Sequence, residues 1–356
     1  MGFTRRARLL LSFSAIFGTL IGCANNISAP GGIPLSFSSE ASSALTTMAS
    51  AELPALESTE TTDTSTPELT AGSLSADSLA TPTPIATPIA TTVASACQAW
   101  TAAQPSPNSA SWSGNLTSCS AGDIDSRTRS QTLALVNYYR SLAGLSAVSD
   151  NSLMNQQAQS CALMMAANNK LSHQPTSDWT CFDPVGASSA ALSLLATTQS
   201  TRAIELYMLD SGSGNLAAIA HRRWILSNHL GPAIGIGSTS THSCLQVANS
   251  SNTISAKSWA AWPPPGIVPL QAANVDSTGW TVQSDTIDLS TAAVTVQEGS
   301  TSLLVSVRIL ASGYGSKYAI AFTPDGWSST PGRTYTVTIS GISQTIKYTV
   351  TFANCP

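Results

Sequence analysis

The chain has 356 residues, of which 42% are hydrophobic and only 10% charged, and its 15 Lys and Arg against 19 Asp and Glu give a formal net charge of −4. Three of the basic residues lie at the start and seven of the acidic ones between Ala24 and Ala96, so from Cys97 onward 12 basic residues face 12 acidic ones. No basic stripe remains, which speaks against a nucleic-acid partner.

Arg5, Arg6 and Arg8 precede an apolar run, Leu9–Ile21. The run is too short to span a bilayer and has the charge order of a signal peptide. It ends Leu20-Ile21-Gly22-Cys23, which resembles a bacterial lipobox. Residues 1–22 are therefore expected to be removed and Cys23 acylated, giving a membrane partner through the N-terminal lipid. The expected location is the cell envelope, facing the periplasm or the exterior. Residues 23–96 are rich in Ser, Thr, Ala and Pro, lack Lys and Arg, and include TPTPIATPIATT from Thr81 to Thr92. Such a segment buries too little apolar surface to offset its chain entropy, so it reads as a disordered acidic tether.

Six cysteines follow: Cys97, Cys119, Cys161, Cys181, Cys244 and Cys355. An even number in an exported chain predicts disulfides, and no Cys-x-x-Cys or Cys/His zinc spacing is present. Proximity along the chain gives Cys97–Cys119, Cys161–Cys181 and Cys244–Cys355 as the expected pairs. The first would close a small loop holding Trp100 and Trp112.

Periodicity predicts a helix from about Ser126 to Ala143, stopped by Gly144. A second is predicted from an Asp150 cap to about Lys170, with Leu153, Gln157, Ala158, Cys161, Ala162 and Met165 on its packed face. His173 follows just beyond it. A third is predicted over Thr201–Leu209, with Ile204 and Tyr207 inward. The stretch NLAAIAHRRWILSNHLGPAIGIG (Asn215–Gly237) combines a short amphipathic helix with a Gly-punctuated strand. Asn215 is a plausible N-cap. Ala217, Ala220, His221, Trp224 and Ile225 share one face, which places His221 on a buried or half-buried surface and turns Arg222 and Arg223 elsewhere. The glycines of Ala233–Gly237 leave room for close backbone approach.

Three of these stretches, VNYYRSLAGL (Val136–Leu145), the Ala-rich second helix ending in LSHQP, and AHRRWILSNHLGPAIGIG, resemble in order the CAP superfamily of cysteine-rich secretory proteins, antigens and pathogenesis-related proteins. The resemblance covers about Ser126–Pro265. It implies an α-β-α sandwich in which His173 and His221 meet across one cleft. Many members add two glutamates there, forming a pocket for a divalent metal. Here Gly186-Ala187-Ser188 stands where the first glutamate is expected, and Asp210, three residues after Tyr207, stands in the place of the second. His173, His221 and Asp210 are thus the candidate cleft. They either ligate Zn²⁺ or another divalent cation with an open position or form a plain hydrogen-bond network.

Ser258–Trp262 is expected to close the first domain, and Trp262-Pro263-Pro264-Pro265-Gly266 to break the chain. The pattern then becomes β. Ala293–Val296 and Leu303–Ile309 predict a hairpin, Thr334–Ser340 and Ile346–Phe352 another, with Trp280, Phe322 and Trp327 in the core. The expected fold class is α+β: a CAP-like α-β-α sandwich over 97–269 and a small immunoglobulin-like β-sandwich over 270–356, preceded by the tether. Neither G-x-S-x-G nor H-E-x-x-H occurs. The expected role is binding or interaction through the two-histidine cleft, for a lipid or another small apolar ligand. The alternatives are a divalent-metal-dependent hydrolase at the same cleft and a cell-envelope spacer.

Overall fold

The computed structural model describes residues 91–105, 111–247, 255 and 257–356. The signal run, Cys23 and the tether up to residue 90 lie outside the described residues. Helix α1, Val93–Ala103, starts inside the expected tether. Thr92 caps it: its hydroxyl accepts from Ser95 N at 3.1 Å, and the Ser95 hydroxyl accepts from Thr92 N at 3.2 Å. The neighbourhood of Cys97 is therefore helical, not a loop closed on Cys119.

Helix α2, Ser126–Leu142, matches its periodicity and ends before Gly144, whose φ of +68° suits glycine. Asp125 caps it, and the Thr128 N–H on its carboxylate, helped by Ser111, holds that carboxyl well below the usual range. Strand β1 (Ser149–Asp150) leads into α3 (Ser152–Asn168). Asn151, one residue later than expected, is the cap, accepting from Met154 N at 3.1 Å. Leu153, expected on the packed face, is 60% exposed, whereas Ala158, Cys161, Ala162 and Met165 are buried. Then come α4 (Pro184–Ala191), β2 (Ser193–Ala196), α5 (Ser200–Leu209), α6 (Ala220–Ile225), β3 (Ala233–Ser238) and β4 (Ser243–Gln246).

These four strands form one sheet in the order β1-β3-β4-β2, parallel only between β1 and β3. Successive strand residues face opposite sides. Leu194, Ala196, Ile234, Ile236 and Leu245 join a core with Leu135, Val136 and Tyr139 of α2 and Ile204 and Tyr207 of α5. Leu195 and Cys244 instead join Ala158, Cys161, Ala162 and Met165 of α3 and Ala190 of α4. The sheet thus lies between two helical layers. The β3 glycines make the contact possible. A Cβ on Gly237 would stand 2.1 Å from the Ala158 carbonyl carbon, and one on Gly235 would stand 2.4 Å from the Met154 oxygen.

None of the expected disulfide pairs forms. The bonds are Cys97–Cys355, Cys119–Cys181 and Cys161–Cys244, across sequence separations of 258, 62 and 83 residues. Cys161 faces the sheet from mid-helix, so its partner comes from β4 rather than from the loop beyond its own helix. Proximity along the chain is a poor guide once helices and strands carry neighbours apart.

The C-terminal region adds β5 (Ala260–Trp262), β6 (Gly266–Pro269), the short helix α7 (Leu270–Ala273), β7 (Trp280–Ser284), β8 (Ala293–Glu298), β9 (Thr301–Leu303), β10 (Val305–Ile309), β11 (Tyr318–Pro324), β12 (Thr334–Ser340) and β13 (Ile346–Ala353). They form two sheets, β10-β11-β7-β5 and β6-β13-β12-β8-β9. Ala260–Trp262, expected as a last strand of the first domain, hydrogen-bonds to β7 instead. Leu303–Ile309, expected as one strand, divides at Leu304, which is 72% exposed, and its halves enter different sheets. Trp280 ties the sheets together, with ring centroids 5.9 Å from Phe322, 5.9 Å from Tyr335 and 5.7 Å from Phe352. The fold is α+β, and the core is continuous across its parts: Tyr139 of α2 packs edge-on against Trp262 of β5 at 5.4 Å.

Candidate functional site

The site is built from the end of α5, the turn after it and the start of α6. Tyr207 points inward at 3% exposure. Asp210 then ends α5 in the left-handed region, with φ +54°. Asn215 does not cap a long helix. It folds the turn: its amide donates to Ser211 O at 2.8 Å, and its carbonyl accepts from Ile219 N at 2.7 Å. Ile219 has φ +47° and is fully buried. A β-branched residue in that region is strained and persists only where its surroundings enforce it. The helix starts at Ala220, later than its apolar spacing predicts.

These two left-handed residues bring His221 back onto Asp210. The imidazole Nδ1 lies 2.7 Å from Asp210 Oδ1, and Arg222 N donates to Oδ2 at 3.2 Å. An ionised carboxylate only accepts, so Nδ1 carries the proton of this bond. The Tyr207 ring stacks on the imidazole at 5.1 Å and 21°. Asp210 is wholly buried, while the His221 side chain keeps 19% of its surface. Among the described residues its Nε2 has no hydrogen-bond partner. The pair therefore offers one oriented ring nitrogen at the surface.

Arg222 and Arg223 correct the sequence reading: both are buried, at 0% and 1% exposure. The Arg222 guanidinium donates to Met208 O at 2.6 Å, Leu209 O at 2.9 Å, Gly279 O at 2.7 Å and Thr278 Oγ1 at 2.6 Å. Arg223 donates to Ala218 O at 3.1 Å, Ala311 O at 2.6 Å and Ser316 O at 2.9 Å. Burial pushes both down to about 10, so they stay cationic near neutral pH. With five donors and no acceptor, guanidinium satisfies carbonyls that a helix end leaves unpaired. No local pattern announces acceptors more than fifty residues away.

His173 forms no hydrogen bond with this pair among the described residues. It is exposed, and its Nδ1 lies 2.9 Å from Ala190 O at the end of α4. Gly186 sits in the first turn of α4, where the nearby carboxylate, Asp183, is spent as the helix cap, accepting from Val185 N and Gly186 N at 3.2 Å each. Among the described residues no three His, Cys, Asp or Glu side chains are placed to hold a metal ion. The expected set of His173, His221 and Asp210 does not fit a zinc site. A second pair escaped the sequence reading: His229 Nε2 lies 3.2 Å from Asp285 Oδ1, with Asn228 donating to Oδ2 at 3.0 Å.

Residues 133–245 match the model of the cysteine-rich secretory protein family, CAP. This match supports membership of the CAP superfamily. The CAP stretch runs from α2 to β4 and holds His173, Asp210 and His221, while the two C-terminal sheets lie beyond it. No curated protein and no solved structure matches the chain. A CAP domain with three disulfides fits an exported protein. Among the described residues no helix is long and apolar enough to cross a membrane.

Proposed function

We propose that this CAP domain serves binding or interaction outside the cytoplasm, at a surface centred on His221, Asp210 and Tyr207, for a lipid or another small apolar ligand. The observation that carries the reading is a wholly buried carboxylate spent on orienting one partly exposed imidazole. The segments that carry the pair also expose apolar side chains, Leu206 at 49% and Leu216 at 36%. On this reading the chain is exported, held at the envelope by a lipid on Cys23, and the C-terminal sheets act as an immunoglobulin-like appendage. Titration of the mature protein with a fluorescent fatty acid tests the site. Binding is expected for wild type and weaker by about tenfold or more for His221→Ala and Asp210→Asn. Equal binding by folded variants refutes the assignment.

The Asp210–His221 pair also supports a second reading, in which the oriented imidazole acts as general base on water. Cleavage of an activated ester by wild type, abolished in His221→Ala, would favour it over binding alone.

A further inference from the structure

We infer that the chain carries a second binding site, for a neutral saccharide, in a polar cleft beside the start of α3. The cleft measures about 610 Å³ and is walled by Asp123, Arg129, Asp150, Asn155, Gln156 and Gln159. Its volume lies within the range of small-molecule sites, roughly 300–1,000 Å³. It shares no residue with the His221 surface, so the two assignments stand or fall separately.

The wall is fixed by bonds that leave particular atoms free. Gln159, 2% exposed, accepts from Ser238 N at 3.0 Å and donates to Ser238 O at 2.9 Å and Ala121 O at 3.1 Å. Asn155 accepts from Ile236 N at 2.8 Å and donates to Asp150 Oδ2 at 2.7 Å. Arg129 donates to Ile236 O at 3.0 Å and pairs with Asp123 Oδ1. These contacts weld the cleft to the edge of β3. They leave Asp150 Oδ1, Asp123 Oδ2 and the exposed Gln156 carboxamide for a ligand. The Ser152 N–H at the start of α3, which has no intrahelical acceptor, adds a donor beside them.

The ligand class follows by elimination. No apolar side chain larger than alanine lines the cleft, so an apolar molecule gains little there. An anion would meet two carboxylates. A cation would meet Arg129 and the positive end of a 17-residue helix. Hydroxyl groups, which donate and accept at once, match carboxylate acceptors set beside carboxamide and backbone donors. A neutral polyhydroxylated ring presents several of them together.

The test is titration of the mature protein with cellotriose, maltotriose and N,N′,N″-triacetylchitotriose, with L-alanyl-L-alanine as a zwitterionic comparison. At least one saccharide is expected to bind with Kd of about 1 mM or tighter. Gln156→Leu keeps the side chain's bulk on an exposed helix position and removes its polar atoms. It is expected to weaken that binding by about tenfold or more with an unchanged thermal midpoint. The proposal is overturned if no saccharide binds, if Gln156→Leu binds as well as wild type, or if the dipeptide binds more tightly than every saccharide.

Discussion

Replacing Arg222 by Met keeps most of the side-chain volume and removes the guanidinium. Four donors at 2.6–2.9 Å disappear, three of them to backbone carbonyls at Met208, Leu209 and Gly279. Each bond from a charged group contributes roughly 1.5–3 kcal/mol net. A simple sum overshoots, because the variant also escapes the burial of a cation and water can reach some of the freed carbonyls. Breaking such a buried charged network typically costs about 3–5 kcal/mol. For a unit of this size each kcal/mol moves the midpoint by roughly 2–4 °C, which gives a drop of about 6–20 °C in a calorimetric scan. The same variant frees Met208 O and Leu209 O, the carbonyls just before Asp210, so the fatty-acid affinity is expected to fall with the midpoint. A midpoint within about 1 °C of wild type would refute the argument, showing that these carbonyls are satisfied without the guanidinium.

Gly237→Ala forces a methyl to within 2.1 Å of the Ala158 backbone and is expected to destabilise by about 2–4 kcal/mol in urea titration, whereas Gly214→Ala, with nothing inside 4 Å, should be neutral. Equal midpoints for the two would sink the close packing of α3 on β3. Non-reducing peptide mapping should recover Cys97–Cys355, Cys119–Cys181 and Cys161–Cys244, and graded reductant should open Cys119–Cys181 first. That bond joins an exposed to a half-buried residue, both with positive φ (52° and 58°), whereas Cys161 and Cys244 are at 0% and 1% exposure. Opening of Cys161–Cys244 ahead of it would contradict the burial argument.

What the sequence made legible is what local periodicity controls. Ser126–Leu142 and the Thr334–Ser340 and Ile346–Ala353 pair emerge within a residue or so of their apolar patterns, because one face of each meets the core. The β3 glycines announced a close approach, although not that α3 makes it. The half-buried setting of His221 followed from its place among Ala220, Trp224 and Ile225. Its pairing with Asp210 did not follow from spacing. It depends on left-handed backbone at Asp210 and Ile219, and nothing in the residue preferences of isoleucine predicts a positive φ. The disulfides and the buried arginines failed for one common reason. The disulfide partners, and the arginine acceptors at Thr278, Gly279, Ala311 and Ser316, lie 56 to 258 residues away, and only the assembled topology brings them into reach.

That dependence bears on where the His221 surface gets its rigidity. Helix α6 has only six residues, too few to be stable alone. Its N-terminal side is strained at Ile219, and its middle is held by Arg222 and Arg223 bonding into residues 278–279 and 311–316. Its C-terminal carbonyls are satisfied from two sides: Gln283 of β7 donates to Arg223 O at 3.1 Å and to Leu226 O at 2.7 Å, and Arg140 of α2 donates to Ile225 O at 2.8 Å. Many of the groups that hold α6 in place therefore come from outside the stretch that matches the CAP family. The C-terminal sheets are part of the scaffold that presses His221 onto Asp210, and the histidine owes its fixed direction in part to residues nearly sixty positions downstream.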